Sequence, residues 1–255
     1  MARQRYGQHF LIDSSVARRE VAYARLTKDD VVLEIGPGKG IITSLVASKV
    51  KQVLAIEIDH HLVKKLQPML QKNVTLILGD ACCLDFQTLP RFTKIISNLP
   101  FQISSPITFK FLATPFSRAI LIYQKDFAQR LVALPGTKDY SRLTVGVAYK
   151  ACCRILEDVP RTCFSPQPYV DTSIVEIVPY KKPRFLVENE QFFFDLTKQL
   201  FTHRRKKIRH TINAIYRSYR KLPYLEKRVE QLTPEQIGML SNKLYSQKKS
   251  GRSFE

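Results

Sequence analysis

The sequence predicts an α/β fold in which a mostly parallel sheet carries helices on both faces and a small helical domain follows at the C-terminal end. Three observations predict it. Short β-branched runs alternate with helical patterns through the first 180 residues. The first of these runs ends in a glycine-rich turn that opens directly into a helix. Beyond Pro179-Tyr180-Lys181-Lys182-Pro183 the apolar residues repeat at helical spacing only.

The elements follow in order. Val31–Ile35 reads as a strand, followed by the apolar helix Ile41–Val50, and Val53–Ile58 as a second strand before a helix from His60 to about Lys72. Val74–Leu78 and Lys94–Ser97 are strands three and four, with a helix from about Pro106. Arg118–Tyr123 is the fifth, followed by a helix from Asp126 to Leu134. Leu143–Tyr149 and Thr172–Val178 read as two further strands forming an antiparallel edge hairpin, because Pro160, Pro166 and Pro168 make the connection between them extended. Residues 1–180 are expected to form one domain and residues 181–255 another. In the second, Phe192, Phe193, Leu196 and Leu200 share one helical stripe and Ile208, Ile212 and Ile215 another, while Thr233 caps a helix with Pro234 at its first position. Gln247–Glu255 has little to bury and is expected to fray.

Composition bounds the function. A chain of 255 residues with 44% hydrophobic and 25% charged residues is that of a folded globular protein. Neither a membrane-spanning run nor an export signal is legible, so a cytoplasmic protein is expected. Lysine and arginine exceed the acids by 19. Residues 181–255 alone carry 18 basic and 7 acidic residues, a net +11. Such concentration favours a polyanionic partner, and the run His203–His210, rich in Arg and Lys, is its densest part. The five cysteines (Cys82-Cys83, Cys152-Cys153 and Cys163) match no C-x-x-C pair and read as reduced, mostly buried thiols. No histidine spacing suits a metal, so none is expected.

The chemistry lies at the strand ends. Glu34-Ile35-Gly36-Pro37-Gly38-Lys39-Gly40 joins strand to helix, and its glycines let the backbone approach a ligand. Glu57, at the end of the second strand, suits the two hydroxyls of a ribose. Asp80, after the third, suits an adenine amino group. Three such ends converge on an adenosine-bearing cofactor. The fourth strand ends in Asn98-Leu99-Pro100-Phe101. There the Asn98 side-chain oxygen and the Leu99 carbonyl suit the two N–H bonds of an exocyclic amine, Pro100 fixes the turn, and Phe101 offers a face to an extruded base.

Gln8-His9-Phe10-Leu11, the glycine-rich turn, Asn98-Leu99-Pro100-Phe101 and Phe164-Ser165-Pro166-Gln167-Pro168 occur in this order. Together they resemble the KsgA family of ribosomal RNA adenine dimethylases, its archaeal members in particular, over about residues 4–215. The resemblance implies a Rossmann-like class I methyltransferase domain and S-adenosylmethionine as methyl donor. It carries cofactor contacts onto His9, Leu11, Gly36, Gly38, Glu57, Asp80 and Asn98, and a second base-stacking aromatic onto Phe164. It further implies N6,N6-dimethylation of two adjacent adenosines near the 3′ end of small-subunit (16S) ribosomal RNA, in the assembling small subunit, by a monomer. Arg204, Arg205, Lys206, Lys207 and Arg209 are the expected RNA-binding residues, with Arg3, Arg5 and Arg142 extending the track. Related readings are an Erm-type enzyme of large-subunit RNA and a non-catalytic ribosome assembly factor. A nicotinamide oxidoreductase would leave the basic tail unexplained. The sequence departs from the family where His9, Phe101 and Tyr169 stand in place of frequent Asn, Tyr and Lys.

Overall fold

The computed structural model describes residues 8–216, 219 and 221–249. The chain divides into two compact units, one built from the described residues up to 129 together with 152–179, the other from 130–151 and the described residues from 180 onward. Residues 130–151 therefore join the second unit, where the sequence had suggested a single break near 180.

The first unit opens with β1 (Phe10–Leu11) and α1 (Ser14–Tyr23). It continues through β2 (Val31–Ile35), α2 (Ile41–Ala47), β3 (Gln52–Glu57), α3 (His60–Leu66), β4 (Val74–Leu78), β5 (Lys94–Asn98), α4 (Ser104–Leu112), β6 (Arg118–Gln124) and most of α5 (Lys125–Leu131), whose last two residues fall in the second unit. After α6 (Arg142–Lys150), part of the second unit, come β7 (Ala151–Val159), β8 (Phe164–Ser165) and β9 (Thr172–Pro179). The second unit continues with α7 (Glu190–Thr202), α8 (Ile208–Ile215) and α9 (Pro234–Lys249).

Seven strands form one sheet in the order β4-β3-β2-β5-β6-β9-β7, and β1 pairs with β8 in a separate two-stranded ribbon. From β4 to β6 the strands are parallel, and β9 runs antiparallel to β6. The inner strands are buried almost residue for residue, as Val32–Ile35 and Val53–Glu57 show, which is the pattern of a sheet covered on both faces. From β2 the chain winds outward through β3 to β4, then returns to place β5 on the other side of β2. This reversal opens a crevice at the carboxyl ends of β2 and β5, where open α/β sheets bind ligands.

One expected strand is a helix. Leu143–Tyr149 lies in α6, whose N-terminus is closed by Ser141 and Thr144: the Ser141 amide donates to Thr144 Oγ1 at 3.0 Å. The sheet strand follows at Ala151–Val159, and β9 lies between it and β6. Helices also end earlier than their apolar patterns suggest, at Ala47, Leu66 and Leu131. After Leu66 the chain tightens into a short 3₁₀ turn around Pro68. The cysteines are more open than expected: all five are free thiols, Cys83 and Cys152 are exposed and the others half-buried. Successive strand residues face opposite ways, so Cys152 and Cys153 cannot both turn inward.

The second unit has its own core, in which Tyr140, Val145 and Tyr149 pack with Phe193, Leu196, Leu200, Ile208, Ile212, Ile237, Leu240 and Leu244. Phe192 is only half-buried and Ile215 is exposed, each at the margin of its stripe. Thr233 Oγ1 accepts from the Gln236 amide at 3.3 Å while Gln236 Oε1 accepts from the Thr233 amide at 3.0 Å, a reciprocal cap for α9. That helix continues to Lys249, three residues into the segment expected to fray; residues 250–255, like Arg3 and Arg5, lie outside the described residues. Among the described residues no helix is long and apolar enough to cross a membrane, and no group of His, Cys, Asp or Glu is arranged to hold a metal ion.

Candidate active site

A cavity of about 420 Å³ opens at the carboxyl ends of β2, β3, β4 and β5. Its lining includes His9, Leu11, Gly36, Gly38, Glu57, Asp80, Asn98, Leu99, Pro100 and Phe101. One site thus gathers residues from four strand ends and the N-terminal segment.

The glycine turn is shaped for close approach. Gly36 and Gly38 adopt φ of +68° and +57°, in the left-handed region that a side chain disfavours. A Cβ on Gly38 would sit 2.9 Å from the Phe10 ring, and one on Gly36 would sit 3.3 Å from Pro100. The turn therefore lies flush against both the N-terminal segment and the Asn98–Phe101 turn, with its backbone bare towards the cavity.

Glu57 is 3% exposed, and its two carboxylate oxygens accept from the amides of Gly38 (3.2 Å) and Asp59 (3.0 Å). Each oxygen keeps further accepting capacity, enough for a pair of vicinal hydroxyls. Burial raises its pKa, against the pull of those amide donors. Asp80 is half-buried; one oxygen accepts from the Cys82 amide at 2.8 Å and the other lies 3.4 Å from the Cys83 thiol. Lys110 holds this loop by donating to the carbonyls of Ala81 (2.9 Å), Cys82 (3.0 Å) and Leu84.

At the end of β5 the Asn98 Nδ2 donates to the His9 carbonyl at 3.2 Å. A carbonyl only accepts, so this bond fixes the amide orientation and leaves Oδ1 as an acceptor. Oδ1 is buried without a protein partner, on a residue that lines the cavity. Next to it the His9 and Phe101 rings stack, with centroids 5.6 Å apart and planes inclined by 24°. His9 Nδ1 in turn donates to the Pro166 carbonyl at 2.7 Å, which pins the proline loop to the site.

Phe164 is not part of this lining. It is 2% exposed, paired across the ribbon with Leu11 and packed in the core of the first unit. The motif carries it there because β8 and β1 close over the hydrophobic core. Sequence reasoning also passed over Glu34, which lines the cavity, is 2% exposed and has its pKa pushed up to about 8 by burial. Its signal was its place at the end of the first strand, one residue before Ile35 and the glycine turn.

The family model for ribosomal RNA adenine dimethylases matches residues 1–245. This chain belongs to that family. A relative from Methanosarcina barkeri, named "Probable ribosomal RNA small subunit methyltransferase A", is 43% identical over 96% of this chain and 88% of its own length. A relative of the same name from Thermococcus onnurineus is 43% identical over 91% of this chain and 88% of its own. Among solved structures, a dimethyladenosine transferase from Plasmodium falciparum superposes with a TM-score of 0.79 at 26% identity, covering 97% of this chain and all of that one. The 23S rRNA methyltransferase ErmE superposes at 0.67, also with 26% identity, over 92% of this chain and 99% of its own. The fold is accordingly the Rossmann-like methyltransferase fold.

In this family member the basic run of the second unit is divided between structural and open cations. Arg204 Nε pairs with Glu230 at 2.6 Å, and its other nitrogens donate to the carbonyls of Lys138 (2.6 Å) and Thr137 (2.9 Å). Lys207 and Arg209 share Glu226 at 2.9 and 3.0 Å. The Lys207 ammonium, ahead of Arg209, holds that carboxylate below its usual range. Arg205 and Lys206 are exposed and form no ion pair among the described residues. Arg142 opens α6 in the same unit.

Proposed function

We propose that the protein transfers methyl groups from S-adenosylmethionine to N6 of two adjacent adenosines near the 3′ end of small-subunit ribosomal RNA. Each adenosine is dimethylated, and the monomeric enzyme works in the cytoplasm on the assembling small subunit. The observation that carries this reading is Asn98 Oδ1, a buried acceptor without a protein partner beside the half-buried face of Phe101.

The cavity fits the donor. Its volume lies in the range that encloses a ligand of that size, and Glu57 and Asp80 stand at successive strand ends for ribose and adenine. From adenine at β4 to ribose at β3, the reactive end falls beside β2 and β5, next to Gly36, Gly38, His9 and Asn98. S-adenosylmethionine supplies a methyl group on a sulfonium, already bonded to a good leaving group. Asn98 Oδ1 and the Leu99 carbonyl accept the two N–H bonds of the target amine, which favours a pyramidal nitrogen with its lone pair directed at the methyl carbon. Bound there, the donor would supply the methyl carbon with its thioether as leaving group, and the surplus N–H proton of the amine would pass to water. Phe101 stacks on the base, and Pro100 sets the turn that presents it. Alignment and electrostatic fit are the work the chain performs.

The match to ErmE keeps a large-subunit target as a second reading. Labelled S-adenosylmethionine, incubated with the protein and with undermethylated small or large subunits, decides between them. Label confined to two adjacent adenosines near the 3′ end of the small-subunit RNA is the expected result. Label on large-subunit RNA, or none, overturns the proposal.

The pairing of the basic run sharpens the RNA expectation. Replacing Arg205 and Lys206 by Ala removes the two open cations, so the salt dependence of RNA binding should flatten by about 0.7–0.9 for each phosphate left without its cation. Arg204→Ala should instead lower the thermal stability of the second unit, because Glu230 and two carbonyls lose their donor. Filter binding across a salt series with melting curves separates the two effects. An unchanged slope in the double variant would show that Arg205 and Lys206 are merely solvated.

A further inference from the structure

Tyr169 is 96% exposed, the most open of the large hydrophobic residues of the described chain. It stands on the loop joining β8 to β9, and that loop is anchored at several points. Phe164, just before it, and Pro168 within it are buried, and the Pro166 carbonyl accepts from His9. Arg161 Nη1 donates to the Tyr169 carbonyl at 3.1 Å and the Arg161 amide donates to Asp171 Oδ1 at 2.9 Å. The Asp171 carbonyl accepts from the Lys125 amide at 3.0 Å. A backbone held this firmly, carrying an aromatic ring wholly in solvent, is a preorganised contact surface. Only two residues, Gln167 and Pro168, separate Tyr169 from Pro166, a span of at most about 11 Å. Pro166 in turn touches His9, which stacks on Phe101. Arg161, whose guanidinium holds the Tyr169 carbonyl, is itself exposed, so a cation lies close to the backbone that carries the ring.

We infer that Tyr169 is a stacking platform for a nucleotide flanking the adenosine being methylated, with Arg161 beside it for the adjoining phosphate. The inference rests on the RNA methyltransferase reading of the same unit. An unpaired base stacks on any aromatic face, and an arginine within reach of the backbone completes the pairing that single-stranded RNA sites use. Phe101 takes the extruded base, and Tyr169 would keep its neighbour from following or from collapsing back over it.

The test uses the whole protein and undermethylated small subunits. Tyr169→Ala should raise KM for the subunit about 5- to 100-fold, the range of one missing base stack, with kcat nearly unchanged. Tyr169→Phe and Tyr169→Trp should restore it, whereas Tyr169→Leu should not. The chain contains no tryptophan, so Tyr169→Trp is also a unique reporter whose fluorescence should be quenched on stacking. Leu186→Trp, at the next most exposed of these residues but in the second unit, serves as the unquenched control. Wild-type kinetics in Tyr169→Ala overturn the inference, as does full rescue by Tyr169→Leu. Quenching with wild-type kinetics in Tyr169→Ala would place the ring against a protein of the subunit and overturn it too. Failure of the wild-type chain to methylate the subunit refutes the underlying reading instead, a distinguishable outcome.

Discussion

Asn98→Ala should slow single-turnover methyl transfer about 10²–10³-fold while leaving RNA affinity nearly unchanged. The acceptor it deletes is buried and without a protein partner, and it matters most as the amine nitrogen pyramidalises, so the loss belongs to the chemical step. The other half of the same amide holds the His9 carbonyl, and His9 stacks on Phe101. Asn98→Asp separates these roles: it keeps an acceptor for the amine but sets a carboxylate against the His9 carbonyl. It should therefore recover part of the rate lost in Asn98→Ala, while loosening the N-terminal segment that Nδ2 holds. Phe101→Tyr preserves the stacking face and should stay largely active. The measurement is rapid-quench methyl transfer at saturating RNA and donor, with binding titrated separately. A folded Asn98→Ala enzyme working at the wild-type rate would falsify the proposed mechanism without touching the family assignment.

The site was legible where chemistry and topology coincide. Gly36, Glu57, Asp80 and Asn98 each follow or end a parallel strand, and the ends of parallel strands lie on one edge of the sheet, so spacing alone brings them together. Phe164 shows the limit. A motif fixes the order of residues, but burial depends on which partner strand closes over them, and the pairing of β8 with Leu11 in β1 joins segments more than 150 residues apart. The basic run has the same limit in another form. Its cations read as one exposed patch, yet Glu230 and Glu226, some twenty residues onward, neutralise Arg204, Lys207 and Arg209. The mistaken strand at Leu143–Tyr149 has a local cause: its β-branched content outweighed the Ser141–Thr144 cap that starts the helix.

Glu20→Leu should stabilise the protein, and by more as the pH rises. Glu20 lies on the buried face of α1 with 0% exposure, and neither carboxyl oxygen has a protein hydrogen-bond partner. Burial first, and then the neighbouring Glu34, raise its pKa well above the usual carboxylate range. An unsatisfied buried polar group costs about 1–3 kcal/mol, and leucine of similar volume removes it. A group with a raised folded pKa lends its full stability only below the unfolded value near 4.5, and loses it as the pH climbs through the folded value. For Glu34 that window runs from about 4.5 to about 8. Within it each group costs at most about 1.4 kcal/mol per pH unit, because the unfolded carboxyl ionises and the buried one does not. The gain from Glu20→Leu is therefore about 1–3 kcal/mol near pH 5 and larger at pH 7.5, where each kcal/mol moves the melting midpoint by roughly 2–4 °C. Carboxylates held below their usual range, such as Asp30, whose burial is outweighed by the Thr93 and Lys94 donors, act in the opposite direction and only as the pH falls through their lowered values. Melting curves of wild type, Glu20→Leu and Glu20→Gln between pH 5 and 8 test the argument. Glu20→Gln removes the ionisation but keeps the unsatisfied polar atoms, so it should match the leucine variant's pH slope without its gain at pH 5. A leucine variant less stable than wild type across that range would mean that the carboxyl is satisfied in solution, by water or by a proton shared with Glu34, and that its burial supports the site from behind.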